Sequence, residues 1–234
     1  MRTRVRKAFS GMVWLSLLGL AWLLAVAGVQ AQTSSPDVAM VTKLSGPATY
    51  WNKGEQKQPA PVQAFMKVRQ GDYFKIPPES TLQILYFASG RQETWKGPVT
   101  LLAGPEESKI EGKMPPSSPE VKLLPARVGK RIDCAPLPLP RSSVRYSGVI
   151  QTMGPLCAEA RKDLKDAESI YQSLRQQVAT DDLTPELYYL SVLAEYQQYP
   201  EMEKLLNSML AKRPGDPALK RMQDWVRRRG QSAP

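Results

Sequence analysis

The run from Ala64 to Leu102, AFMKVRQGDYFKIPPESTLQILYFASGRQETWKGPVTLL, constrains the fold more than any other stretch. Its β-prone and aromatic pieces are short, and each ends at a turn signal: Gly71-Asp72, Pro77-Pro78, Ser89-Gly90 or Gly97-Pro98. β-Branched and aromatic residues favour extended backbone while Gly, Pro and Asp favour reversals, so the spacing predicts a meander of short strands. In the run from Leu82 to Phe87, Leu82, Ile84 and Tyr86 share one face and Leu85 and Phe87 the other. Side chains alternate along a strand, so this one is expected at the centre of a sheet, covered on both sides. Val99 to Leu102 is a second strand. Upstream, Val38 to Trp51 reads as two β segments around Ser45-Gly46-Pro47, followed by a surface loop from Asn52 to Pro61. Many short strands must bury one another's faces, which predicts a small β-sandwich or closed meander.

Residues 1–31 have a basic start, an uncharged apolar run from Met12 to Val29, and small residues at Val29 and Ala31. That pattern describes a secretory signal peptide cut between Ala31 and Gln32. The competing reading is an uncleaved anchor, since a run of that length can span a bilayer. The chain is therefore expected in the periplasm or secreted, or, if the leader stays, anchored in the inner membrane. Export gives meaning to Cys134 and Cys157, the two cysteines of the sequence. In an oxidising compartment they suggest one disulfide closing a loop of about 20 residues and contributing roughly 3 kcal/mol; two free thiols are the alternative.

The formal charge of +10 comes from 32 basic against 22 acidic side chains. Arg2, Arg4, Arg6 and Lys7 belong to the leader, so the mature excess falls to six. Those charges are scattered, without a basic stripe interleaved with aromatics, and nucleic acid is not an expected partner. The chain has no His, which excludes a serine triad and His-containing zinc sites. Glu106-Glu107 and Asp181-Asp182 sit in polar, turn-rich stretches, where adjacent carboxylates are expected to be solvated rather than catalytic. No catalytic, metal-binding or cofactor-binding residues are assigned, and no enzyme activity is expected.

Gly71-Asp72 after a mixed strand, the strand Leu82 to Phe87, Ser89-Gly90-Arg91, and Trp95-Lys96-Gly97-Pro98 before Val99 to Leu102 resemble the FecR-type domain of bacterial envelope proteins. The resemblance covers Val38 to Leu102, and its motifs mark turns rather than a reaction centre. It implies an envelope protein with a small β-domain. Because only a short basic stretch precedes the apolar run, the cytoplasmic signalling role of the best-known family member is not expected to carry over.

Gly104 to Pro140 is rich in Pro, Lys and Glu and reads as a connector in which Val121 to Leu124 is a candidate edge strand. Beyond it the period changes. Leu156, Ala160, Leu164, Ala167, Tyr171, Leu174 and Val178 recur at spacings of three and four, predicting a helix of about 25 residues. Thr184-Pro185 is read as an N-cap with proline at the first helical position of a second helix. A third starts near Pro200 and a fourth at Asp216-Pro217. Thr184 to Asp216 resembles a single tetratricopeptide unit, with Ser191 at the small-residue position and Pro214 as the terminal proline. Met202 replaces the usual alanine, and the inter-helix turn is one residue short. One repeat cannot bury its faces alone, so the preceding helix is expected to pack against it.

The chain thus reads as an α+β multidomain protein, a small all-β FecR-like meander or sandwich followed by an all-α, tetratricopeptide-like helical bundle. The divisions are signal peptide 1–31, polar tail 32–37, β-domain 38–103, Pro-rich connector 104–152, helical domain 153–229 and tail 230–234. The expected function is that of a non-catalytic periplasmic adaptor or scaffold binding envelope protein partners. Candidate partner-binding residues are Tyr188, Tyr189, Tyr196 and Tyr199, because adjacent tyrosines cannot both face a core, with Arg91 and Trp95 as a candidate rim site. Two alternatives remain: a cell-wall glycan binder using Trp51 or Trp95, and a membrane-anchored sensor subunit. Glycan is a partner only in the first, and the membrane only if the leader is uncleaved.

Overall fold

Turn residues divide the first half of the chain into strands that pair in two antiparallel sheets. The computed structural model describes residues 35–52, 58–112, 118–140 and 164–231. The expected leader, its cut between Ala31 and Gln32, and Cys157 lie outside them. In spatial order, the first sheet holds β10 (Glu120–Leu123), β7 (Arg91–Lys96), β6 (Thr81–Tyr86), β1 (Asp37–Ser45) and β4 (Lys67–Arg69). The second holds β3 (Ala60–Pro61), β2 (Thr49–Asn52), β5 (Asp72–Ile76), β8 (Val99–Ala103) and β9 (Ser108–Ile110). Five helices follow among the described residues: α1 (Ala126–Cys134), α2 (Leu164–Gln177), α3 (Thr184–Glu195), α4 (Tyr199–Lys212) and α5 (Pro217–Gln231).

Alternation decides what each strand buries. Ala39 and Val41 of β1, Leu82, Ile84 and Tyr86 of β6, and Trp95 of β7 meet Phe74, Ile76 and Leu101 of the second sheet in one apolar cluster. Met40, Leu85 and Phe87 join a different cluster with Val128 and Ile132 of α1 and the apolar residues of α2 to α5. β6 therefore sits mid-sheet and is covered on both faces. The layers are second sheet, first sheet, helices. Two glycines allow close approach. Gly90 has φ +69° at the β6–β7 turn, a conformation that an added Cβ would strain. A Cβ on Gly129 of α1 would lie 2.7 Å from the Phe87 carbonyl oxygen.

This corrects the expected fold class. The residues from Ser35 onward belong to one compact unit, so the β and α parts are not separate domains. The helical region is a modest layer on the first sheet, not plainly a tetratricopeptide bundle. The reason lies in α3, where ten of twelve residues are buried, because it packs against α1, α2 and α4 together. The stretch read as a Pro-rich connector also differs. It carries β9, β10 and α1, with Val128 and Ile132 buried against the sheet. Only the part of the first predicted helix from Leu164 onward is described, and it does pack on α3.

The cap of α3 is also not the expected one. The N-cap position is Leu183, and Thr184 is the first helical residue. Asp182 Oδ1 accepts from the Thr184 N–H at 2.9 Å, while the Thr184 hydroxyl accepts from Gln92 Nε2 of β7 at 3.0 Å. Gln92 Nε2 also reaches Asp182 Oδ2 at 3.1 Å. The residue chosen as a cap thus serves the contact between helix layer and sheet. For α5, Asp216 Oδ1 accepts from Ala218 N–H and Leu219 N–H, an ordinary carboxylate cap.

Candidate functional site

The four tyrosines of interest lie on α3 and at the start of α4, but they do not act together. Successive residues on a helix point about 100° apart, so Tyr188 and Tyr189 face different neighbours. Tyr188 is 5% exposed within the helical core, and burial raises its phenol pKa, with Arg131 and Arg127 opposing the shift. Tyr189 is half-buried and stacks on Tyr171 of α2, with ring centroids 5.0 Å apart and planes 12° from parallel. Its phenol is also raised, first by burial and then by the carboxylates of Glu168 and Glu201. Both of those carboxylates belong to exposed residues. Tyr196 is 40% exposed at the end of α3. Tyr199 packs edge-on against Trp225 of α5 at 6.4 Å. What faces solvent is therefore a stacked tyrosine pair between two helices, edged by carboxylates.

Arg91 and Trp95 lie on one face of β7 but do not form an open rim. Trp95 is 3% exposed, and its indole N–H donates to Glu93 Oε2 at 2.9 Å. Arg91 Nε donates to Glu93 Oε1 at 2.6 Å, and the Ser108 N–H of β9 approaches the same carboxylate at 3.2 Å. Glu93 is thus a fully buried acceptor joining the two sheets. The Tyr86 hydroxyl shares a 2.9 Å hydrogen bond with Ser108 Oγ, and burial drives its pKa far above the usual tyrosine range. Arg91 also borders a groove of about 490 Å³ with Ser89, Glu107, Lys109 and Leu123. Sequence reasoning missed Glu93, because an acidic residue in a strand carries no sign of which face it takes.

Other charged clusters are structural. Glu186, buried on α3, accepts from Arg175 Nη1 at 2.7 Å and from Lys212 Nζ at 2.9 Å. Lys43 of β1 pairs with Asp181 in the α2–α3 loop and holds its carboxyl below the usual range. Asp72 is buried; it accepts from Asn52 Nδ2 at 3.0 Å and from the Arg69 N–H at 2.9 Å across the Gly71 turn. Among the described residues, no group of three or more Cys, Asp or Glu side chains could hold a metal ion. Likewise, no helix among them is long and apolar enough to cross a membrane. Cys134 is disulfide-bonded, and the sequence's other cysteine, Cys157, lies outside the described residues.

Comparison with family models, with curated proteins and with solved structures finds no match to this chain.

Proposed function

We propose that this protein is a non-catalytic adaptor of the bacterial cell envelope that binds a basic segment of a protein partner at the Tyr171–Tyr189 patch. The observation that carries the reading is Tyr189, a half-exposed ring stacked on Tyr171, whose phenol is raised first by burial and then by the nearby carboxylates of Glu168 and Glu201. The negative face of an aromatic ring attracts Lys and Arg, and carboxylates at its edge add ionic pairing and steering. The sequence as a whole carries excess positive charge, so the patch is a local reversal of sign. That selects for a cationic segment and against the protein's own surface. The buried carboxylates Glu93 and Glu186 are committed to fixed cationic partners, as suits a scaffold. Export to the periplasm and the FecR-type resemblance of Val38 to Leu102 belong to the same proposal.

The test is in-cell photo-crosslinking from position 172, an exposed site next to Tyr171 on α2 that leaves both stacked rings in place, with mass spectrometry of the adducts. The expected result is a discrete protein adduct that disappears with Glu201→Lys and weakens as salt rises. Adducts with cell-wall fragments, or a protein adduct indifferent to Glu201→Lys, would overturn it. A second reading, glycan binding, is favoured by one observation only. Trp51 is half-exposed and stacks on Tyr73, centroids 5.3 Å apart, whereas Trp95 is buried. Trp51→Ala abolishing retention on purified cell wall would favour that reading instead.

A further inference from the structure

β10 ends the first sheet, and no strand among the described residues pairs with its outer edge. Its register on β7 sets Glu120 opposite Thr94, Val121 opposite Glu93, Lys122 opposite Gln92 and Leu123 opposite Arg91. One residue further in the same register, the Leu124 N–H donates to the Gly90 carbonyl at 2.9 Å. Hydrogen-bonded pairs alternate along an antiparallel ladder. The main-chain groups of Glu120 and Lys122 therefore turn toward β7, and those of Val121 and Leu123 turn outward. Val121 and Leu123 are also large apolar residues in exposed positions, at 38% and 76%. An apolar edge with outward-facing main-chain groups is a template for another strand.

We propose that the strand it takes is β10 of a second copy of this chain, paired antiparallel about a two-fold axis at Val121. The sequence around that axis is self-complementary. Val121 faces its own symmetry mate as a hydrogen-bonded pair, and Leu123 faces Pro119, whose carbonyl accepts from the Leu123 N–H. Glu120 faces Lys122 of the second copy, twice, at the non-hydrogen-bonded positions where opposite side chains lie closest. One face of the joint is then apolar and the other carries two ion pairs. Lys122 and Glu120 now pair within the strand at 3.3 Å, with their side chains 40% and 65% exposed, an arrangement worth little that is readily exchanged across the axis. Moving the axis to Lys122 would still pair the outward main-chain groups, Val121 with Leu123, but would set two lysines directly opposite each other and leave Glu120 without its partner. Pro119 lacks an N–H, so the ladder closes there and the contact is bounded rather than fibre-forming. The proposal is independent of the tyrosine patch, which lies on the helices.

Sedimentation of the purified full chain over a wide concentration range tests it. A concentration-dependent dimer is expected. Glu120→Lys alone and Lys122→Glu alone each set like charges opposite and should weaken the dimer by roughly tenfold. The double exchange Glu120→Lys with Lys122→Glu should restore it. Val121→Pro removes an outward N–H but none of the bonds to β7, so it should abolish the dimer with circular dichroism unchanged and with the melting temperature of the dilute, monomeric parent chain. A monomer at every concentration would overturn the proposal. So would a dimer that survives Val121→Pro, or one that the double exchange fails to rescue.

Discussion

At the scale of single residues, Glu93 is a buried carboxylate on which both sheets of the sandwich converge. Its carboxylate is buried and serves Arg91, the Trp95 indole N–H and the Ser108 N–H at once. Removing it strands the buried Trp95 indole N–H and the part-buried Ser108 N–H, at about 1–3 kcal/mol each with the second toward the lower end. The Arg91 side chain is 30% exposed, and water relieves part of its lost pairing. Glu93→Ala is therefore expected to destabilise by about 2–4 kcal/mol, read as a drop in the urea midpoint. Glu93→Gln keeps an acceptor for Trp95 and should cost about half as much. A change under about 0.5 kcal/mol for Glu93→Ala would mean that water replaces the carboxylate. The alternating pattern of β7, RQETWK, hides this role. Both of its faces are buried, one against the second sheet and one against the helices, so polar residues lie inward on each.

At the scale of elements, periodicity made β6, α4 and α5 legible, because each buries a regular apolar stripe. α1 was not legible. Its sequence ARVGKRIDC lies between prolines, includes a glycine, and offers Val128 and Ile132 as its apolar anchors. Nothing local explains a glycine there; only the strand end it presses on does. That contact predicts opposite signs for two helical glycines. Ala is intrinsically better than Gly inside a helix by about 1 kcal/mol. At Gly230 of α5 the nearest atom to an added Cβ is Tyr199 Cβ at 3.5 Å, so Gly230→Ala should stabilise by about 0.5 kcal/mol near the frayed end. At Gly129 the added Cβ meets the Phe87 carbonyl oxygen at 2.7 Å and Phe87 Cα at 2.8 Å. Those are backbone atoms that cannot rotate away. Gly129→Ala should therefore destabilise by about 1–3 kcal/mol despite its better propensity. Paired denaturant titrations decide, and a stabilised Gly129→Ala would show that α1 is not pressed on the strand. The tyrosine patch was half legible for a related reason. Adjacency guaranteed different environments for Tyr188 and Tyr189, but the stacking partner Tyr171 sits on another helix, beyond the reach of local spacing.

At the scale of the whole molecule, the first sheet belongs to two cores at once. Ala39, Val41, Leu82 and Ile84 point into the sandwich, and Met40, Leu85 and Phe87 point into the helical layer. The polar contacts follow the same division of labour. Gln92 reaches Asp182 and Thr184, Lys43 reaches Asp181, and Lys67 reaches Asp133. A fragment ending near residue 124 would keep the sandwich but expose Met40, Leu85 and Phe87. Full burial of side chains of that size contributes about 1.5–3 kcal/mol each. Their sum is comparable with the 5–15 kcal/mol that stabilises an ordinary domain. Such a fragment should therefore fail to fold cooperatively, and the intact protein should unfold in one transition. Tryptophan fluorescence, which samples Trp95 in the sandwich and Trp225 in the helices, should trace the same curve as far-ultraviolet circular dichroism. Two separated transitions, or a 35–124 fragment that melts sharply alone, would mean that the sandwich holds without its helical cover and that the shared sheet couples the layers only weakly.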